Sequence, residues 1–249
     1  MRPSPVRLLF AFLILFAVYQ SAEGVGDRLL HSFPVQAGLM LAAVLIAWPL
    51  GRWLGYRGYD AFGLDLKPRS LGLLVAMLLL AMGAKAVALV AGLETGTYAL
   101  AAAAMPSAAA LAMMAFSTFI PSIAEDMLTR GLFLRAANPG WNGTVFVILS
   151  AILFTLNHIY KFDAGWTEQA RLFAMGLAYA AAAWRWQTLW AAVGLHWGYN
   201  FANSFAEPMT SLTGNAVQGR WLTVAVHLGL LVILLLIPRP GKGRDARRG

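Results

Sequence analysis

Apolar stretches closed off by short polar segments recur along the whole chain. A membrane-spanning helix needs roughly 20 mostly apolar residues. Eight stretches come near that length: residues 8–22, 34–54, 71–93, 108–135, 143–160, 169–187, 188–206 and 221–238. The pattern predicts an all-α, polytopic membrane protein with about eight transmembrane helices. The sixth and seventh stretches nearly touch, so a tight hairpin near Arg185-Trp186-Gln187 has to separate them. Residues 95–107 are Ala-rich and fit a loop, a surface helix or an extension of the fourth span. No break exceeds the loop 55–70 and no internal repeat is visible, so residues 1–238 read as one transmembrane domain. The tail 239–249 is rich in Gly and Arg. It reads as disordered and suited to lie against anionic lipid.

Composition agrees. The chain is 59% hydrophobic and only 12% charged, against about 25% charged in soluble domains. It has no cysteine, which excludes disulfides and thiolate metal sites. A net charge of +8 raises the question of nucleic acid, but the charge is spread over helix ends and the tail, without a basic face or an aromatic platform. With eight spans, thirteen Lys and Arg fall on the side of the termini. Four (Arg28, Lys161, Arg171 and Arg220) fall on the other. The excess predicts both termini in the cytoplasm. Arg2 and Arg7 before the apolar run Leu8–Val18 resemble a signal peptide, but Gln20 spoils the small-x-small cleavage pattern, so an uncleaved first span is expected. Runs of alanine such as 101–104 and 180–183 fit close helix packing.

Three polar patterns interrupt the apolar helices: Glu125-Asp126-x-x-x-Arg130, Phe154-x-x-x-His158 and His196-x-x-x-Asn200. Ionisable residues are costly in hydrocarbon, so each marks a candidate site. Asp126 and Arg130 are i,i+4 and can pair along one helix face. Glu125 is rotated by about 100° and points elsewhere. Two adjacent acids on one helix make a poor aspartic dyad. The i,i+4 spacing also sets the Phe154 ring beside His158, and His196 beside Asn200. Glu125 with His158 can hold and deprotonate a water; His196 and Asn200 can donate to a developing oxyanion.

In this order and setting, the three motifs over residues 121–203 resemble the CPBP family: type II CAAX prenyl endopeptidases and the related Abi-type proteins. That family is described by Glu-Glu-x-x-x-Arg, Phe-x-x-x-His and His-x-x-x-Asn/Asp motifs on an eight-span helical fold. The resemblance implies an intramembrane endopeptidase acting on a membrane-associated, CAAX-like and lipidated peptide or protein. Glu125 would activate the water and His158 would position it. His196 and Asn200 would stabilise the oxyanion, with Asp126, Arg130 and Phe154 in support. Asp126 is a departure, since the family usually has Glu there. The family is commonly labelled metalloprotease, and Glu125, His158 and His196 could ligate zinc. The His-Glu-x-x-His spacing is absent, and Glu and His suffice without metal, so no cofactor is required. Partners are the lipid bilayer and the substrate, with no nucleic acid; a bacterial inner membrane is the expected location.

Two competing functions remain at this stage. One is an inactive scaffold or immunity protein that kept the polar core for packing. The other is a proton-coupled transporter using Glu125 and the histidines as a relay, although paired interrupted helices are missing. No serine lies in a Gly-x-Ser-x-Gly context, and Asp60 and Asp65 sit in a basic loop outside the spans. His227 reads as a satisfied core residue and His31 as a loop residue. Lys85 should snorkel or meet a carbonyl. Trp184, Trp186 and Trp190 read as interface anchors, and Asn203 and Glu207 as caps near Pro208. By helical rise, Glu125 lies ~15 Å and His158 ~25 Å from the cytoplasmic ends of their spans, so tilt has to bring them together.

Overall fold

A computed structural model of the chain describes residues 3–137 and 140–237. The expected disordered tail, 239–249, lies outside the described residues. Helix α1 (Pro5–Ser21) runs on as a wider π-helical stretch to Leu29; α2 is Phe33–Trp53 and α3 Pro68–Glu94. Helix α4 (Ala108–Asp126) continues as π-helical turns to Ala137. It is followed by α5 (Gly143–Asn157), α6 (Trp166–Trp186), α7 (Leu189–Ala206) and α8 (Ala216–Leu236). Their starts are written locally. Ser4, Ser32, Ser107, Asn142 and Asn215 each accept a backbone N–H of the first helical turn, satisfying donors that the helix cannot.

Five helical rods are long and apolar enough to cross a membrane: Pro5–Leu29, Phe33–Trp53, Pro68–Glu94, Ala108–Ala137 and Ala216–Leu236. The expectation of eight is met only to that extent. Helix α5 is apolar but stops after 15 residues. Helices α6 and α7 carry polar residues along much of their length and bury most of their side chains within the bundle. Protein rather than lipid surrounds those two, so they need not be apolar throughout.

Helices approach closely where glycine removes the side chain. Gly194 and Gly198 of α7 press against the carbonyls of Leu74 and Leu78 of α3. A Cβ on Gly176 of α6 would lie 2.8 Å from the Ala151 Cα of α5. Of the alanine runs, 180–183 is buried in α6 as close packing requires, whereas Ala102–Ala104 are exposed and outside any helix.

The segment 95–107 is neither helix nor simple loop throughout. Strand β1 (Tyr98–Leu100) pairs antiparallel with β2 (Thr210–Leu212), with Ala99 opposite Ser211. Two connections that leave the bundle together satisfy their backbone groups on each other. The expected hairpin at Arg185–Gln187 is present, with Gln187 in the left-handed region at φ 54°. It is tied to the loop after α2: Leu189 N and Thr188 Oγ1 donate to Gly63 O at 3.0 and 3.2 Å. Trp190 Nε1 donates to Asp65 O at 2.6 Å. Trp190 is therefore a tether between segments rather than a free interface anchor. Lys85 also differs from expectation. It is buried, its ammonium 5.6 Å from the Tyr199 ring centroid and 6.0 Å from that of Tyr98, so aromatic faces receive the charge.

Candidate active site

Helix α4 presents Glu125 where its regularity is broken on both sides. Pro121 lies one turn before it, and the π-helical turns begin at Met127. Such widened turns recur at functional sites. Glu125 and Asp126 point apart, as their 100° offset requires. Asp126 pairs with Arg130 through Oδ1, both side chains fully buried. The same Oδ1 lies 3.1 Å from His196 Nδ1. A carboxylate only accepts, so His196 carries its hydrogen on Nδ1 and presents Nε2 to the site. One methylene less than Glu therefore still spans to both Arg130 and His196. Asp126 Oδ2 and Arg130 Nε and Nη2 have no hydrogen-bond partner among the described residues. Instead the guanidinium stacks 4.9 Å from the Phe154 ring and 5.6 Å from the Tyr179 ring.

His158 does not lie within a span. Helix α5 ends at Asn157, and His158 is its C-cap with φ −86° and ψ 52°. The last carbonyls of a helix lack intrahelical partners, and here they organise the site. His158 Nδ1 donates to Phe154 O at 2.8 Å, which also leaves its Nε2 lone pair directed away. The same Nδ1 is 3.4 Å from Glu125 Oε1.

Glu125 sits between the two imidazoles and uses a different oxygen toward each. Oε1 accepts from Asn157 Nδ2 at 3.0 Å and faces His158. Oε2 faces His196 Nε2 at 3.8 Å. Phe154 is the common wall: its ring centroid is 4.9 Å from that of His158 and 5.5 Å from that of His196. Tyr179 stacks on the other side of His196 at 4.9 Å and 21°. Its hydroxyl is 3.1 Å from His227 Nε2, and His227 Nδ1 donates to Thr223 O at 2.8 Å. His227 is thus the satisfied core histidine expected from its isolation in the sequence. Asn200 Nδ2 donates to Ser122 Oγ at 3.1 Å, and that hydroxyl donates in turn to Thr118 O at 2.7 Å. One amide hydrogen of Asn200 is left for another acceptor.

All seven residues singled out in the sequence come together. Three that matter geometrically escaped it: Gln20, Asn157 and Tyr179. Asn157 carried a usable signal, a polar residue beside His158 in an apolar helix. Gln20 and Tyr179 carried none, because their roles depend on helices far away in the chain. Among the described residues, no three His, Asp or Glu side chains are placed to hold a metal ion. In this arrangement Glu125 Oε1 is occupied by Asn157 Nδ2 and His158 Nδ1 by Phe154 O.

A buried carboxylate flanked by two imidazoles, with a spare amide donor nearby, has the parts of a hydrolytic centre inside a helical membrane protein. Comparison with known families agrees. Residues 107–202 match the family described as type II CAAX prenyl endopeptidase Rce1-like. That segment is similar to this family of intramembrane proteases, and it contains Glu125, His158, His196 and Asn200. No curated protein and no solved structure matches the chain.

Proposed function

We propose that the chain is a glutamate-dependent endopeptidase that cuts a membrane-associated peptide or protein at a site among α4, α5 and α7. The observation that carries this reading is Glu125, anchored through Oε1 by Asn157 with His158 Nδ1 3.4 Å away, and with Oε2 turned toward His196 Nε2. Oε2 takes a proton from a water held beside it, with His158 on the other side of the carboxylate helping to position the site. The water oxygen bonds to the scissile carbonyl carbon, and charge develops on the carbonyl oxygen. Asn200 donates its remaining N–H to that oxyanion. His196 joins it only after Nε2 has gained a proton, and Glu125 Oε2 is the adjacent source. Transfer of the proton to the amide nitrogen lets the C–N bond break, giving a carboxylic acid and an amine, and the acid proton then passes to the amine to leave a carboxylate and an ammonium. Asp126 holds the imidazole through Nδ1, and Arg130 balances Asp126.

A lipidated substrate suits the surroundings. A groove of about 320 Å³ between α2 and α4 is lined by Phe33, Met40, Met113, Phe116, Ile120 and Pro121, the last of them one turn before Glu125. A lipid chain laid there would bring its attached peptide toward the carboxylate. Both termini lie in the cytoplasm in this reading, and the membrane is a bacterial inner membrane.

The test is cleavage of a quenched lipidated-peptide library by purified protein, wild type against Glu125→Gln, with and without a chelator. Cleavage that is lost in the variant and survives the chelator supports the reading. Cleavage lost with the chelator alone would replace it with a metal mechanism. No cleavage by folded wild-type protein would leave the inactive scaffold as the better account.

A further inference from the structure

Helix α1 lies outside the matched segment, yet its end, with Tyr19 and Gln20, reaches the site. Gln20, at 8% exposure, donates through Nε2 both to the Asn157 backbone carbonyl at 2.7 Å and to Asn157 Oδ1 at 2.8 Å. The first bond satisfies an orphan carbonyl at the end of α5. The second determines which way the Asn157 amide faces. With Oδ1 occupied by a donor, Nδ2 is the group presented to Glu125 Oε1, at 3.0 Å. A carboxamide without that bond is free to turn over. Turned, it would place its oxygen against the carboxylate, an arrangement of two acceptors with no hydrogen between them.

We infer that Gln20 and Asn157 are positioning residues that form a directional relay onto Glu125, so that the first helix sets the orientation and proton affinity of the acid on α4. The inference rests on the reading of Glu125 as the base. Sequence order hides it, since Gln20 and Asn157 are separated by 137 positions. The relay also accounts for a glutamine at the buried end of a largely apolar helix. An unpartnered amide there would be costly, and its partners are the cap of α5 and the amide that meets the acid.

The test compares wild type with Gln20→Met, Gln20→Glu, Asn157→Leu and the double variant Gln20→Met/Asn157→Leu. All are full-length, purified in detergent and shown to be folded by their thermal unfolding. Two measurements are made. The first is the pH profile of cleavage of a quenched lipidated peptide. The second needs no activity: pH-titrated infrared difference spectra, with Glu125→Gln as the subtraction, follow the carboxylic C=O band of Glu125 directly.

Loss of one hydrogen bond to a charged group should lower kcat by about ten- to a hundred-fold. KM should change little, and the acid limb of the profile should move to higher pH. The Glu125 band should appear at higher pH in Gln20→Met and Asn157→Leu alike. The double variant should be no worse than Asn157→Leu alone, because the two residues act in series. Gln20→Glu, which in its ionised form cannot donate, should behave as Gln20→Met. A band that appears at the wild-type pH in Gln20→Met, or multiplicative losses in the double variant, overturns the relay. Shifted bands in a protein whose wild type cleaves nothing would uphold the relay and refute the proposed function.

Discussion

Asp126→Asn separates the two duties of the second acid. In the structure one oxygen, Oδ1, accepts from both Arg130 and His196, and neither Asp126 nor Arg130 is exposed at all. The carboxamide keeps one acceptor oxygen for two donors and loses the charge that answers the guanidinium. Arg130 then keeps only the ring faces of Phe154 and Tyr179. Removing one partner of a buried ion pair costs about 3–5 kcal/mol, mostly from the charge left behind. Removing both partners is milder, so Asp126→Leu/Arg130→Met should cost less than Asp126→Asn alone. Unfolding can be followed by the fluorescence of the nine tryptophans, in mixed micelles with increasing denaturing detergent. Activity should separate from stability: the double variant, though folded, should be slower than wild type by at least about tenfold, since His196 has lost its Nδ1 acceptor. An Asp126→Asn protein within about 0.5 kcal/mol of wild type would refute the reasoning, because that is the range of a neutral substitution. So would a double variant whose cost equals the sum of its single changes.

Other expectations follow from the same contacts. Gly176→Val places atoms where Ala151 of α5 already sits. It should cost about 1–3 kcal/mol by overpacking and lower kcat by displacing His158, as read by thermal unfolding and cleavage. Tyr179→Phe keeps the ring on His196 but leaves buried His227 Nε2 without its hydroxyl partner. It should cost about 1–3 kcal/mol of stability with little change in kcat, whereas a large kcat loss would give the hydroxyl a catalytic part. Chelators should leave the rate unchanged, since the histidines meet separate oxygens of Glu125; restoration of lost activity by zinc alone would show otherwise.

The candidate site was unusually legible because its chemistry is written against an apolar background. Glu125, Asp126, Arg130, His158, His196 and Asn200 stand out where polar groups are costly, and i,i+4 spacing within each helix limits which partners share a face. The local pair Asp126–Arg130 follows from that spacing alone. The contact of Asp126 with His196 does not, because it joins α4 to α7 and depends on how the helices pack. The hairpin at Arg185–Gln187 was legible from crowding of two apolar stretches. The β1–β2 ladder was not, since each strand has three residues and pairs with a segment more than a hundred positions away.

Apolar periodicity and length determined from the sequence by itself that this is a helical membrane protein, because the bilayer leaves few alternatives for a backbone that must satisfy its own hydrogen bonds. Sequence also singled out the candidate residues of the site, because residue type and helical spacing are local properties. Only the tertiary structure decided which oxygen of Glu125 is anchored and which faces His196. It alone decided that α5 stops at Asn157 to make His158 a cap, and that Gln20 of the first helix reaches the site. Each of these depends on the orientation of one helix against another, and that is settled by close packing at residues such as Gly176, Gly194 and Gly198, whose contacts no linear pattern specifies.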